Sequence, residues 1–264
     1  MHTSDFETEM RQQICEIGKR IYDRGYVAAN DGNISVKIDD NTILCTPTGI
    51  SKGFMTPEMM VKMDLAGNVI SGTAKPSSEV KMHLRVYQEN PKVNSVVHAH
   101  PIVATSYAIA GIPLNKAICP EAVVILGNVP VAPYATPGTQ EVPDSIAPYC
   151  QDYNAVLLAN HGALTWGSNL IEAYYRMESL EHFATMTMYT GRIINQANHL
   201  NSGQVDALIQ IREKMGVLSG GVPPLQQNEE DISKVTVGSI ESKDSALIEC
   251  IVSEVLAKLR NSEQ

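Results

Sequence analysis

The sequence predicts one layered α/β domain, followed by a linker and a short terminal helix. Three observations carry this. Short apolar runs of strand length are mingled with amphipathic helical stretches over residues 3–191. There is no beat of βαβ units and no GxGxxG, so a layered α/β domain fits better than a dinucleotide-binding doubly wound sheet. After Gly216 the composition changes to a Gly-, Pro-, Gln- and Ser-bearing stretch before helical periodicity returns. The expected organisation is a globular domain over 1–216, a linker over 217–243 and an amphipathic helical tail over 244–264.

The elements follow in order. Phe6, Met10, Ile14, Ile17 and Ile21 recur at helical spacing, so a helix runs to about Arg24, where Gly25 stops it. Residues 34–38 and 42–46 read as two strands joined at the turn Asp39-Asp40-Asn41, a hairpin. Pro47-Thr48-Gly49 is a loop, 61–63 a strand, and Ala66-Gly67-Asn68 a turn before Val69 and Ile70. A helix is expected over 77–88, a buried strand over 93–97 and a helix over 101–110. Strands are then expected at 123–126, 129–131 and 155–158, and a long helix over 170–191.

The chain has 264 residues, 44% of them hydrophobic and 19% charged, enough to bury a sizeable core and too apolar for wholesale disorder. Its net charge is −9 with no basic run, which argues against nucleic-acid and anionic-membrane partners. No apolar run approaches the ~18 residues of a membrane span, and residues 1–9 carry acids rather than the apolar stretch of a secretory signal. Five scattered cysteines, Cys15, Cys45, Cys119, Cys150 and Cys250, form no CxxC and read as reduced thiols of a cytoplasmic protein.

Three signals carry chemistry. In Val96-Val97-His98-Ala99-His100-Pro101 an apolar strand delivers two histidines two residues apart, which share a face on a strand. His161 follows a second apolar strand in Ala159-Asn160-His161-Gly162. Three neutral imidazoles with an open fourth position are the pattern of a catalytic zinc site, so Zn2+ is the expected cofactor. Second, Lys75-Pro76-Ser77-Ser78-Glu79 sets two hydroxyls at a helix N-terminus, a place that favours anions. Glu79 there is either a capping-box acid or, if the fold brings it to the metal, an acid/base. Third, Asn30-Asp31-Gly32-Asn33 and Thr46-Pro47-Thr48-Gly49 are turns whose N–H groups can form an anion nest. With Ser77 and Ser78 they would make a phosphate cradle of neutral groups.

In order along the chain, these residues resemble the class II aldolase/adducin family, most closely its zinc-dependent fuculose-phosphate aldolases. The resemblance runs over about residues 14–190. It is carried by Gly32-Asn33-Ile34-Ser35-Val36, Thr46-Pro47-Thr48-Gly49-Ile50, Pro76-Ser77-Ser78-Glu79, His98-Ala99-His100, Ala132-Pro133-Tyr134-Ala135-Thr136 and Asn160-His161-Gly162. It implies a three-layer α/β/α domain around a mainly antiparallel sheet, assembled as a homotetramer with sites at subunit interfaces. It implies His98, His100 and His161 as zinc ligands, with Glu79 as catalytic carboxylate able to approach the metal. Gly32, Asn33, Thr48, Gly49, Ser77 and Ser78 would hold the phosphate.

The implied reaction is retro-aldol cleavage of a deoxyketose 1-phosphate, L-fuculose or rhamnulose 1-phosphate, to dihydroxyacetone phosphate and lactaldehyde. The family's L-ribulose-5-phosphate 4-epimerases generally carry Asp where this chain has Glu79. Its methylthioribulose-phosphate dehydratases are a further alternative, and its non-catalytic adducin-like domains lose the histidines kept here. One departure stands out: where fucose-type enzymes place a loop tyrosine, this chain has Cys119-Pro120-Glu121, so Glu121 is either a substitute acid/base or a solvated loop acid. In the tail, Leu247, Ile248, Ile251, Val252, Val255, Leu256 and Leu259 share one half of a helix over 244–260. This resembles the peptides that load enzymes into bacterial microcompartments, with a shell protein as partner; the other reading is a helix docked on its own assembly.

Overall fold

The computed structural model describes residues 3–217 and 219–225. The helix expected over 244–260, and with it the shell-protein reading, lies outside the described residues. Helix α1 (Thr3–Asp23) buries Met10, Ile14, Ile17 and Ile21, the stripe that its spacing predicts. Strands β1 (Asn33–Lys37) and β2 (Thr42–Cys45) form the expected hairpin. Asp39 fixes its turn by accepting from the N–H groups of Asn41 and Thr42 at 2.9 and 2.8 Å. Strands β3 (Val61–Asp64) and β4 (Val69–Ser71) continue the meander. Then come α2 (Val80–Glu89), β5 (Ser95–Ala99), α3 (Ile102–Ala110), α4 (Pro120–Ile125), β6 (Val131–Ala132) and α5 (Glu141–Ile146). Strands β7 (Ala155–Leu158) and β8 (Gly162–Gly167) precede α6 (Leu170–Met188) and α7 (Ser202–Lys214).

The eight strands form one sheet in the order β4-β3-β2-β1-β5-β8-β7-β6. Every pairing is antiparallel except β6 with β7. Side chains alternate across it, and the alternation builds two cores. Ile34, Val36, Val97, Ala99, Leu157 and Ala163 pack with α1, α3 and α6. Val96, Val156, Leu158, Leu164 and Trp166 pack with α2 and α5 on the other face. The fold is therefore the three-layer α/β/α arrangement around a mainly antiparallel sheet. The long antiparallel pairings bring the ends of β2, β5 and β7 and the starts of β1 and β8 to one end of the sheet, since Asn33 pairs with His98, Ser35 with Cys45, and Leu158 with Gly162.

Several elements differ from the sequence reading. Residues 123–126 do not form a strand; Val123 and Val124 are buried in α4, which Pro120 initiates. A short apolar run bounded by Cys119 and Gly127 has the same pattern in a buried helix as in a strand. Of 129–131, Val131 begins β6, while Val129 makes an isolated bridge to Leu114. Strand β8 and helices α5 and α7 were not expected; β8 is masked in the sequence by the glycines at both its ends. The beginning of the expected linker is tied to the domain. Gly220 donates its N–H to the Asp152 carbonyl at 2.8 Å, and Asn154 Nδ2 donates to the Ser219 carbonyl at 2.9 Å. The four described cysteines are free, and no helix among the described residues is long and apolar enough to cross a membrane.

Candidate functional site

His98 is the next-to-last residue of β5, on the face that looks toward α2, and is fully buried. Its Nδ1 lies 2.9 Å from the Ala163 carbonyl of β8. That acceptor places the proton on Nδ1 and leaves the Nε2 lone pair free to bind. His100 lies beyond the end of β5, where its own N–H turns away to the Tyr26 carbonyl at 2.8 Å. Its Nδ1 is 3.3 Å from Asp31 Oδ2, so its Nε2 is likewise left as an acceptor. His161 sits in the tight turn from β7 to β8, closed by its N–H on the Leu158 carbonyl at 3.0 Å. Asn160 in that turn takes φ 59°, a left-handed value that asparagine tolerates better than most residues.

Two glycines make room for this convergence. A Cβ on Gly162 would stand 2.5 Å from His100 Cδ2 and 2.8 Å from the Ala99 carbonyl oxygen. Gly32 takes φ +74°, and a Cβ there would stand 2.9 Å from the His98 carbonyl oxygen.

The three rings form a near-equilateral triangle with centroids 4.8, 4.8 and 5.0 Å apart. One nitrogen from each lies within 4.8 Å of the others. The Nε2 atoms of His98 and His100 are only 3.0 Å apart. Two unprotonated nitrogens so close repel each other unless a cation lies against both. Burial pushes the His98 pKa far below its ordinary value, and burial followed by the nearby His161 lowers that of His100. Lowered pKa values keep His98 and His100 in the neutral state in which histidine ligates a metal, and with the His161 ring converging on them the donor set fits a divalent cation.

Glu79 immediately precedes α2, and its side chain makes no helix-cap bond; the capping-box reading does not describe it. Its Oε1 is 3.0 Å from His161 Nε2 and its Oε2 is 3.5 Å from His98 Nε2. Oε2 also accepts from Asn33 Nδ2 at 2.7 Å. Burial opposes ionisation, but His98, His161 and the Asn33 amide hold the Glu79 carboxyl well below the usual carboxylate range.

A cavity of about 190 Å³ opens beside these groups. It is lined by Gly32, Asn33, Thr48, Gly49, Ser77, Ser78, Glu79, His100 and His161, so every residue expected to bind phosphate faces one space with the carboxylate and two of the histidines. The family model for the class II aldolase and adducin N-terminal domain matches residues 12–188. The chain belongs to that family. A 3-oxo-tetronate 4-phosphate decarboxylase of Escherichia coli is 35% identical over 212 residues, 78% of this chain and 99% of the relative. An L-fuculose phosphate aldolase of Methanococcus maripaludis is 37% identical over 174 residues, 66% of this chain and 93% of the relative. A solved L-fuculose 1-phosphate aldolase superposes with a TM-score of 0.72 at 31% identity, covering 79% of this chain and 96% of that one.

Two further placements in this class II aldolase family member bear on the sequence reading. Glu121 is exposed in the first turn of α4, does not line the cavity, and accepts from Cys119 Sγ at 3.1 Å. Lys52 lines the cavity although the sequence reading passed over it. It is buried, and its Nζ donates to the Asn30 and Ile50 carbonyls at 3.0 and 2.9 Å. The only sequence signal was a lysine four residues after Thr48, and a lysine in a loop ordinarily reads as solvated. The cradle is thus not built of neutral groups alone.

Proposed function

We propose that the chain is a metal-dependent lyase that breaks the bond between the α- and β-carbons of the carbonyl in a phosphorylated ketose. Its substrate on this reading is a deoxyketose 1-phosphate, L-fuculose or rhamnulose 1-phosphate, cleaved to dihydroxyacetone phosphate and lactaldehyde. The observation that carries the reading is Glu79, set 3.0 Å from His161 and 3.5 Å from His98 on the wall of the cavity that both anion loops line.

His98, His100 and His161 would hold the cation, for which a set of three imidazoles beside a carboxylate favours zinc. When bound, such an ion supplies Lewis-acid stabilisation of the negative charge that develops on the substrate's oxygens. The chain's own groups do the rest. Thr48, Gly49, Ser77 and Ser78 bind the phosphate and fix which carbon faces Glu79. The C4 hydroxyl gives its proton to the second acid/base, the C3–C4 bond breaks, and its electron pair becomes the enediolate of the three-carbon fragment while C4 leaves as the aldehyde. Glu79, held ionised by its neighbours, takes up a proton from solvent and is the group placed to pass it to C3 of that enediolate. Assembly as a homotetramer with sites between subunits would let Glu121 of a neighbouring copy serve as the second acid/base.

A second reading has its own support. The decarboxylase relative matches over nearly its whole length, and loss of CO2 from a 3-oxo acid phosphate generates the same kind of enediolate. The deciding experiment incubates zinc-loaded protein with L-fuculose 1-phosphate, L-rhamnulose 1-phosphate and 3-oxo-tetronate 4-phosphates, assaying lactaldehyde and CO2 separately. Lactaldehyde without CO2 supports the aldolase. CO2 alone assigns the second reading, and neither product from any substrate overturns both.

A further inference from the structure

Lys52 is 2% exposed, yet it forms no ion pair among the described residues. Its ammonium has three N–H groups, and two of them are spent on neutral acceptors, the carbonyls of Asn30 and Ile50. A buried cation without a counter-ion is costly, and fixed carbonyl dipoles offset only part of the desolvation. Burial lowers its pKa to about 8, with Asp31 and Glu79 opposing at longer range. The third N–H belongs to a side chain that lines the cavity shared by Thr48, Gly49, Ser77 and Ser78.

The anion that this cavity is proposed to receive has the converse problem. The chain is net −9, and Asp31 and Glu79 both line the same space. Hydroxyls and backbone N–H groups alone would set a phosphate dianion beside two carboxylates with no cation of the protein's own to balance it, the metal being engaged by the histidines and the substrate's other oxygens. Each group lacks what the other supplies. We propose that Lys52 is the cation of the anion pocket, the residue that gives the site its preference for a phosphorylated over a neutral substrate. This rests on the phosphorylated-substrate reading given above. A staple joining the Asn30 and Ile50 loops is the competing role, and it requires the two carbonyl bonds but not the charge.

The test is calorimetric titration of inorganic phosphate into the full-length protein, before and after EDTA treatment to separate binding on a metal. Lys52→Gln keeps donors for the two carbonyls and loses the charge; Lys52→Met keeps only the shape; Lys52→Arg keeps the charge. Phosphate affinity should fall about 10- to 100-fold in the Gln and Met variants and be largely retained in the Arg variant. Equal affinity in all four proteins overturns the Lys52 assignment and leaves the phosphorylated-substrate reading standing. No phosphate uptake by the unsubstituted protein overturns both. Should the Gln and Met variants fail to fold, the unsubstituted chain carries the decision: saturating phosphate should slow carbamylation of Lys52 about tenfold relative to exposed lysines. An unchanged rate means that no anion sits on Lys52.

Discussion

Asn33 Nδ2 donates to Glu79 Oε2 at 2.7 Å, across 46 positions of sequence. Asn33 opens β1 opposite His98, so the sheet register itself aims the amide at the carboxylate that the histidines flank. This gives Asn33 a task besides the phosphate contact that its motif implied: it orients Glu79. Glu79→Gln should lower kcat by about 10²- to 10⁴-fold, the usual contribution of general acid–base catalysis. Asn33→Ala should lower kcat through Glu79 by a larger factor than it raises KM through the lost phosphate contact. Asn33→Asp, which puts a like charge against Glu79, should move the acidic limb of the pH–kcat profile upward. An unaltered limb in the Asp variant would mean that the bond does not govern Glu79.

Ser77 should behave in the opposite way. Its Oγ accepts the Glu79 N–H at 3.3 Å and it lines the cavity. Ser77→Ala should raise KM for the phosphorylated substrate while kcat changes little, because it removes a binding donor rather than a proton carrier. Steady-state kinetics on phosphorylated and free ketose check this. Equal KM values for the two sugars in the unsubstituted protein would leave the pocket without its purpose.

The contrast between Asn33 and Ser77 shows what the sequence makes legible. The ligand-type residues announce themselves, because two histidines two apart after an apolar strand and a third after another strand are uncommon patterns. The same is true of the hairpin turn at Asp39 and the buried stripe of α1, where local chemistry decides the structure. Long-range partners are not legible: nothing near Asn33 in sequence reveals that β1 pairs with β5 in the register that meets Glu79. Lys52 escaped for the same reason, since its burial depends on α1 covering its loop, where a Cβ on Gly18 would stand 2.8 Å from the Lys52 carbonyl oxygen. Residues 123–126 misled because an apolar tetrad is compatible with helix and strand alike, and only packing decides between them.

Gly162→Ala tests how tightly the imidazole triangle is built. The new methyl would stand 2.8 Å from the backbone oxygen of Ala99 and 2.5 Å from the His100 ring. The backbone contact cannot yield cheaply, so the β7–β8 turn and His100 must shift. Divalent-metal content, by elemental analysis after dialysis, should fall well below one per chain, and thermal stability should fall with it. His98→Ala should also lose the metal while keeping its circular dichroism. Full metal content in both variants would sink the assignment of the three histidines.

Acid should destabilise the protein through a histidine outside the triangle. His83 on α2 is buried, with Nδ1 2.7 Å from Ser35 Oγ and no hydrogen-bond partner for Nε2 among the described residues. Protonation would bury a charge and an unsatisfied donor together, and burial lowers its pKa from 6.5 to about 3. Above pH 6.5 both folded and unfolded chains hold it neutral, so it contributes no pH dependence there. Below 6.5 the unfolded chain takes up a proton that the folded chain refuses, so stability falls progressively as pH drops toward 3. The slope from this one group reaches at most about 1.4 kcal/mol per pH unit. His98 is shifted in the same direction and adds to it in metal-stripped protein, whereas bound metal holds the triangle together until its ligands protonate. Urea denaturation of EDTA-treated protein should therefore show a lower midpoint at pH 5.5 than at pH 7.5. His83→Gln should be less stable at pH 7.5, having lost a fitted core side chain, but should lose less on acidification. An acid response equal to that of the unsubstituted protein would mean that His83 is already charged or solvated in the folded state.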